Sequence, residues 1–258
     1  MSTPLLFIHG MFLTGRSWDP WCELFASRGF ACEAPSWPGR DGEPAKLRAR
    51  PDPRLSTLTL TEVVAQYEEA ARRRPGTIVI GHSMGGLVAQ LLLARGAASL
   101  GIAIDSAPPF GVRSFAFSHL RSNAPVLWPG SSPIVPTWKS WRYAFWHTGS
   151  ETEVRAAFEA NVVPESRLVG KGPLGKEAKI DFTAKRPPLL MIAGERDHII
   201  PASLNRKNAG RYGTDAPTEL VELKDRTHYL CGQPGWQEVA ETCLAWIERA
   251  RGSVPIAI

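Results

Sequence analysis

Six short runs of β-favouring apolar residues recur along the chain, and most are apolar at every position rather than at alternate ones. They are Leu5–Ile8, Phe30–Ala34, Thr77–Ile80, Leu100–Ile104, Leu189–Ala193 and Glu219–Leu223. A strand with one face in water alternates apolar and polar residues, so continuous runs require cover on both faces. That requirement points to a parallel sheet with helices on either side. Phe30–Ala34 and Glu219–Leu223 are more mixed and are expected nearer the sheet edges.

The segments between the runs carry helix signals. Thr59-Leu60-Thr61-Glu62 is a capping box opening a helix through Val63, Val64, Tyr67 and Ala71, which stops before Pro75-Gly76. Ser17 is expected to precede a helix with Pro20 in its first turn and Trp21, Leu24 and Phe25 inward. A last helix is expected from about Pro234, with Trp236, Val239, Cys243, Trp246 and Ile247 at helical spacing. The rhythm breaks between Ile104 and Leu189. There Thr137–Phe145 has a helical apolar face, Ser150-Glu151-Thr152-Glu153 is a second capping box, and four tryptophans (128, 138, 141 and 146) stand among prolines. This reads as a mostly helical cap, residues 108–186, inserted into a core formed by 1–107 and 187–258. Such a cap would cover the carboxyl ends of the strands, where open α/β sheets bind ligands.

Composition excludes several classes. The chain has 258 residues and a net charge of +5, but Lys and Arg are scattered among Asp and Glu. The densest basic run, Arg72-Arg73-Arg74, sits where a helix ends and complements its dipole. No nucleic-acid motif accompanies the charge. Cys22, Cys32, Cys231 and Cys243 form no C-x-x-C pair and no metal-like spacing with histidine, which suits buried thiols in a reducing compartment; a Cys22–Cys32 bridge stays open. No run approaches the roughly 20 apolar residues of a membrane span, and the amino terminus lacks a basic n-region and an h-region. A cytoplasmic, membrane-independent monomer or homodimer is expected.

Chemistry concentrates at Gly81-His82-Ser83-Met84-Gly85-Gly86, between a buried strand and the helical run Leu87–Ala94. A strand–turn–helix with this pattern lifts a serine oxygen above the sheet on a tight turn, with the helix amino terminus facing the place where an oxyanion would form. A serine hydroxyl needs a base. His228 follows the last strand run, on the same sheet edge. Asp197, in Gly194-Glu195-Arg196-Asp197-His198-Ile199-Ile200-Pro201, follows the strand before and supplies the carboxylate that orients the base. Asp105 competes for that role, but Ser106-Ala107-Pro108-Pro109 after it reads as a turn, and Asp197 is preferred. Asp225 is assigned to shaping a turn. The Met84 N–H and the Met11 N–H, the latter after Gly10, are expected to form the oxyanion hole. His9 and His82 are expected to be structural.

With these four motifs in the order His-Gly loop, Ser elbow, Gly-Glu-x-Asp-x-x-x-Pro loop and late His, the chain resembles the α/β-hydrolase superfamily, in its esterase/lipase-like group with a helical cap. The resemblance implies an α/β-hydrolase fold, a Ser83–His228–Asp197 triad and no cofactor or metal. The superfamily usually has two further strands before the His-Gly strand, whereas only Met1–Thr3 precede it here, so a sheet of about six strands is expected. The expected activity is cleavage of small to medium apolar carboxylic esters through an acyl-enzyme. Thioesterase, amidase, acyltransferase, C–C hydrolase and hydroxynitrile lyase chemistry share the triad, and a non-catalytic ligand receptor shares the scaffold. Phe12, Trp37, Trp138, Trp141 and Tyr229 are candidates for the substrate pocket, although the cap aromatics suit a cap core equally well.

Overall fold

A computed structural model of the chain describes residues 2–253 apart from Asp41 and Ala216; Met1 and the last five residues of the expected core segment, 254–258, lie outside the described residues. Six strands form one sheet: β1 (Thr3–Ile8), β2 (Phe30–Glu33), β3 (Ile78–His82), β4 (Leu100–Ile104), β5 (Leu189–Gly194) and β6 (Thr218–Leu223). Their order is β2-β1-β3-β4-β5-β6 and every pairing is parallel. The two mixed runs are the edge strands. β3, β4 and β5 are buried at every position.

Alternate residues of each inner strand feed two different cores, which is why the runs are continuously apolar. Leu6, Ile8 and Val79 face one core with Val63, Val64, Leu87 and Val88. Leu5, Phe7, Ile78 and Ile80 face the other, with Trp21, Phe25, Val239 and Trp246. Each such side chain contributes roughly 1.5–3 kcal/mol by leaving water, so the sheet is held from both sides. Around it lie α1 (Asp19–Ser27), α2 (Pro44–Ala49), α3 (Leu60–Arg72) and α4 (Met84–Ala94). The Thr59–Glu62 capping box is formed. Ser17 falls inside a 3-10 turn, Gly15–Trp18, and Trp18 occupies the cap position of α1. The turn closes because the Ser17 N–H and hydroxyl both donate to the Thr14 carbonyl.

Between β4 and β5 come α5 (Phe117–Leu127), α6 (Trp138–Ala144), α7 (Glu151–Asn161) and α8 (Arg167–Lys171). Thr137–Ser140 and Ser150–Glu153 are formed capping boxes. The insert has its own small core of Trp141, Phe145, Trp146, Val154, Phe158 and Val162, which takes in Tyr229. After β5 come α9 (Ala202–Ala209) and, beyond β6, α10 (Trp236–Ser253). The helix expected from about Pro234 begins two residues later, after Gly235 at φ 82°. All four cysteines are free. Cys22 on α1 and Cys32 on β2 lie close enough to shift one another's ionisation, the Cys22 thiol upward and the Cys32 thiol downward. Among the described residues no helix is long and apolar enough to cross a membrane.

Candidate active site

Strand register sets the site. Ile8 pairs with Gly81, His82 with Ile104, and Ile104 with Ile192, so the loops after β1, β3, β4 and β5 leave the sheet at one edge. Ser83 sits at φ 57°, ψ −118°, between the last residue of β3 and the first of α4. That left-handed backbone costs a non-glycine residue of order 1–3 kcal/mol. It is held by the Ser83 N–H donating to the Ile104 carbonyl (2.9 Å) and by the Ser83 carbonyl accepting from Gly86 and Ala107 N–H groups (3.0 and 2.9 Å). Glycine is needed on either side because a Cβ on Gly81 would strike the Gly85 carbonyl and one on Gly85 would strike the Ile8 carbonyl. The turn therefore closes only without those side chains.

Ser83 Oγ lies 2.9 Å from His228 Nε2, and His228 Nδ1 lies 2.6 Å from Asp197 Oδ2. The other Asp197 oxygen accepts the Ile199 and Ile200 N–H groups at 2.6 and 2.9 Å. His228 and Asp197 are wholly buried as side chains. Burial pushes His228 down to about 3, so at neutral pH the ring is an uncharged base with Nδ1–H turned to Asp197 and Nε2 free to accept the serine proton. Burial also pushes Asp197 up, and the two backbone N–H groups oppose the rise. His228 is steadied from all sides. Its carbonyl accepts from His82 Nε2 at 2.8 Å, the Phe145 ring stands edge-on 5.0 Å away, and the Thr227 N–H and hydroxyl before it are anchored on Gln233 Oε1.

Asp105 is placed beside this set. It holds φ 41°, is wholly buried, and accepts the Gly194 N–H at 2.7 Å through Oδ1. Burial and the neighbouring Asp197 charge push its carboxyl well above the ordinary carboxylate range. Two neighbouring carboxylates resist ionising together in a dry site, and their interaction raises Asp105 while lowering Asp197, so Asp105 is the member that favours its proton. His228 reaches Asp197 and not Asp105. His82, Asp105 and His228 place three donor atoms within 4.8 Å, a spacing a cation could use. The partners already described occupy His82 Nε2 and both His228 nitrogens, so holding a cation there would mean breaking the Ser83–His228–Asp197 chain of hydrogen bonds.

The loop after β1 abuts the serine: a Cβ on Gly10 would lie 2.9 Å from Ser83 Cβ. Phe12, at φ 66°, donates its N–H to Glu165 Oε2 at 3.3 Å and accepts the Val163 N–H at 2.9 Å. Glu165 forms an ion pair with Arg40, and both side chains are fully buried. Arg40 in turn donates to the Pro164 carbonyl at 2.9 Å. The stretch that carries Met11 is thus tied to the insert by a buried ion pair that no local pattern announces, since its partners stand 125 residues apart. His9 accepts the Trp37 N–H at Nε2 (3.3 Å), which leaves Nδ1–H to donate to the Gly10 carbonyl (2.8 Å). Burial and Arg40 depress its pKa, and the ring stays neutral.

A cavity of about 720 Å³ opens over Ser83 and is lined by Met11, Phe12, Met84, Val126, Ile134, Trp141, Phe145 and Ile199 among others. That size takes a drug-sized ligand. Of the five expected pocket residues, Phe12 and Trp141 reach this cavity. Trp37 is buried beneath the site against His9, its ring 4.0 Å away, with Arg40 on it. Trp138 packs on Phe158 under Arg155. Tyr229 is buried between Trp141 and Trp146 and borders a separate, small cavity of about 20 Å³ beside His82. All three are held by ring partners that a count of aromatics does not reveal. Much of the cavity wall is instead aliphatic, from Val126, Leu127, Ile134 and Val135, which nothing in the sequence pattern singled out.

The family model described as "Alpha/beta hydrolase family" matches residues 5–242. The chain belongs to that family. Among solved structures, polyneuridine aldehyde esterase superposes with a TM-score of 0.68 at 17% identity, covering 96% of this chain and 100% of that one. A monoacylglycerol lipase from Paleococcus ferrophilus gives 0.66 at 17% identity, covering 96% and 94%. Tomato methylketone synthase I, complexed with 2-tridecanone, gives 0.68 at 16%, covering 97% and 99%. No curated protein matches the chain in sequence.

Proposed function

We propose that the chain is a serine hydrolase that cleaves carboxylic esters with a medium-sized apolar acyl or alcohol group through an acyl-enzyme. The observation that carries this reading is the unbroken line Ser83 Oγ–His228 Nε2, His228 Nδ1–Asp197 Oδ2, raised on a strained turn and opening into an apolar cavity. Ser83 Oγ attacks the ester carbonyl as its proton passes to His228 Nε2. The tetrahedral oxyanion is held by the Met84 and Met11 N–H groups. His228 then protonates the leaving alkoxide as the C–O bond breaks. Water repeats the sequence on the acyl-enzyme, giving its proton to His228 and returning the serine. Asp197 keeps the His228 tautomer and stabilises the imidazolium that forms. Each step uses the chain's own groups.

Residues 108–186 act as the cap that decides which ester enters, over the core of 1–107 and 187–258. The 720 Å³ cavity supports the upper end of the expected substrate size. The names of structural neighbours point the same way, from an esterase and a monoacylglycerol lipase to a synthase holding a thirteen-carbon ketone. The test is turnover of p-nitrophenyl esters from two to twelve acyl carbons, with thioester and amide analogues, by the protein and by Ser83→Ala. The expected result is ester turnover by the protein, a loss of about 10⁶ in kcat for the variant, and a fluorophosphonate adduct on Ser83. Full activity in Ser83→Ala would overturn the reading.

A further inference from the structure

The large apolar side chains that stand exposed among the described residues all fall in one segment of the chain. They are Phe110, Phe115, Phe117, Leu120, Leu127, Trp128, Val135 and Leu174, every one of them between β4 and β5, with Phe115, Phe117 and Trp128 more than 70% exposed. Six of the eight are together in space, since all but Phe117 and Trp128 line the cavity over Ser83, and those two bracket the α5 residues that line it. Those two belong to α5 and the residue that ends it. A scattered exposed apolar residue is ordinary, whereas a contiguous group around one cavity mouth marks a surface that meets something apolar.

The charges of the same segment are one-sided. From Ser106 to Ser150 the chain has four cations, Arg113, Arg121, Lys139 and Arg142, and no Asp or Glu. Arg113, Arg121 and Lys139 are exposed, and Arg113 stands on the cavity wall itself. Arg121 lies over the Tyr143 ring. The chain's overall charge of +5 equals that of the insert alone, because residues 108–186 hold 11 Lys and Arg against 6 Asp and Glu. Apolar side chains beside unopposed cations suit an anionic lipid–water interface, where rings enter the headgroup boundary and arginine and lysine meet the phosphates. A like-charged second copy would bring the same cations face to face.

We infer that the mouth of the cavity docks on the surface of aggregated anionic amphiphiles, bilayer or micelle, so that an apolar substrate passes into the cavity without crossing water. Docking needs neither Ser83 nor the ester reading, although its use in substrate capture rests on that reading. The experiment is cosedimentation with vesicles of phosphatidylcholine alone and of phosphatidylcholine with phosphatidylglycerol, for the protein and for Phe117→Ser/Trp128→Ser. Turnover of a soluble p-nitrophenyl butyrate is measured in parallel.

The expected result is binding to the anionic vesicles that weakens with salt, little binding to the neutral ones, and a loss of about tenfold or more in the double variant. Its butyrate turnover stays unchanged, because neither residue lines the cavity. Arg121→Glu/Lys139→Glu removes the preference for anionic vesicles. Failure to bind anionic vesicles, or equal binding by the double variant, overturns the inference. So does a concentration-dependent dimer, seen by sedimentation without lipid, that the double variant dissolves. Absence of butyrate turnover in the wild type would count against the esterase reading and leave the vesicle result standing.

Discussion

At the strand ends, each side-chain polar atom of Ser83, His228 and Asp197 has a partner within 2.9 Å, and the groups are buried. The insert facing them across the cavity is built differently. Its wall there is mostly apolar, with aliphatic and aromatic side chains that stand partly in water. Backbone hydrogen bonds and close glycine contacts admit one arrangement at the strand ends, so the chemistry there tolerates little variation. A wall of dispersion contacts admits many residues of similar volume. On the proposed reading, the kind of bond broken is therefore a property of the sheet edge, and the choice of substrate a property of the insert.

That division can be broken most directly at Asp197. Asp197→Asn leaves the geometry but reverses the hydrogen bond to His228 Nδ1, and kcat on p-nitrophenyl butyrate is expected to fall about 10⁴-fold with little change in KM. A small effect would mean that Asp105 or another group orients the base. The next effect tests the link between the two regions. Glu165→Gln leaves Arg40 as an uncompensated buried cation, which is expected to cost about 3–5 kcal/mol in urea unfolding. Arg40→Met/Glu165→Leu, which removes both charges, should recover much of it.

On the insert side, Val126→Phe narrows the cavity at its α5 wall. Turnover of dodecanoyl esters is expected to drop by about tenfold or more, while acetyl esters are unaffected. Equal losses on both would show that the insert also shapes the reaction centre.

The smallest effect concerns Asp105. Its pKa is raised in the folded protein, so the native state holds a proton that the unfolded chain releases above the ordinary carboxylate range. Stability from this group is full at low pH and lost as pH rises toward its raised value. Asp105→Asn removes the ionisable group and keeps the acceptor for the Gly194 N–H. Its melting temperature should exceed that of the wild type by a margin that widens with pH. A constant difference across the range would mean that Asp105 carries no extra proton.

The sheet was legible from sequence because burial on both faces leaves a signature, the unbroken apolar run, that local residues carry by themselves. The same holds for the capping boxes at Thr59 and Ser150, where the whole interaction spans four residues. Ser83, Asp197 and His228 were nominated by their places after the third, fifth and sixth strands, and the structure brings the three within hydrogen-bonding distance. Arg40 with Glu165, and Asp105 with Asp197, were not legible, since each depends on pairing between distant segments. Trp37, Trp138 and Tyr229 show the same limit from the other side. A buried tryptophan and a pocket-lining one have identical local sequence requirements, and only the neighbours brought by the fold separate them.

The place of the insert also bears on how the molecule comes together. Gly101 of β4 pairs with Leu189 of β5 across the whole intervening segment. The entropy of closing so long a loop rises only with the logarithm of its length, so the final stability hardly suffers. The rate is another matter, because contacts this far apart in sequence slow the search. During synthesis the β4 edge must wait for residues 105–188 to emerge before its partner arrives. Asp197 comes in on the far end of that partner, and His228 later still. On the proposed reading, the nucleophile is thus made early and armed last, a sequence that leaves the half-built chain without a working serine.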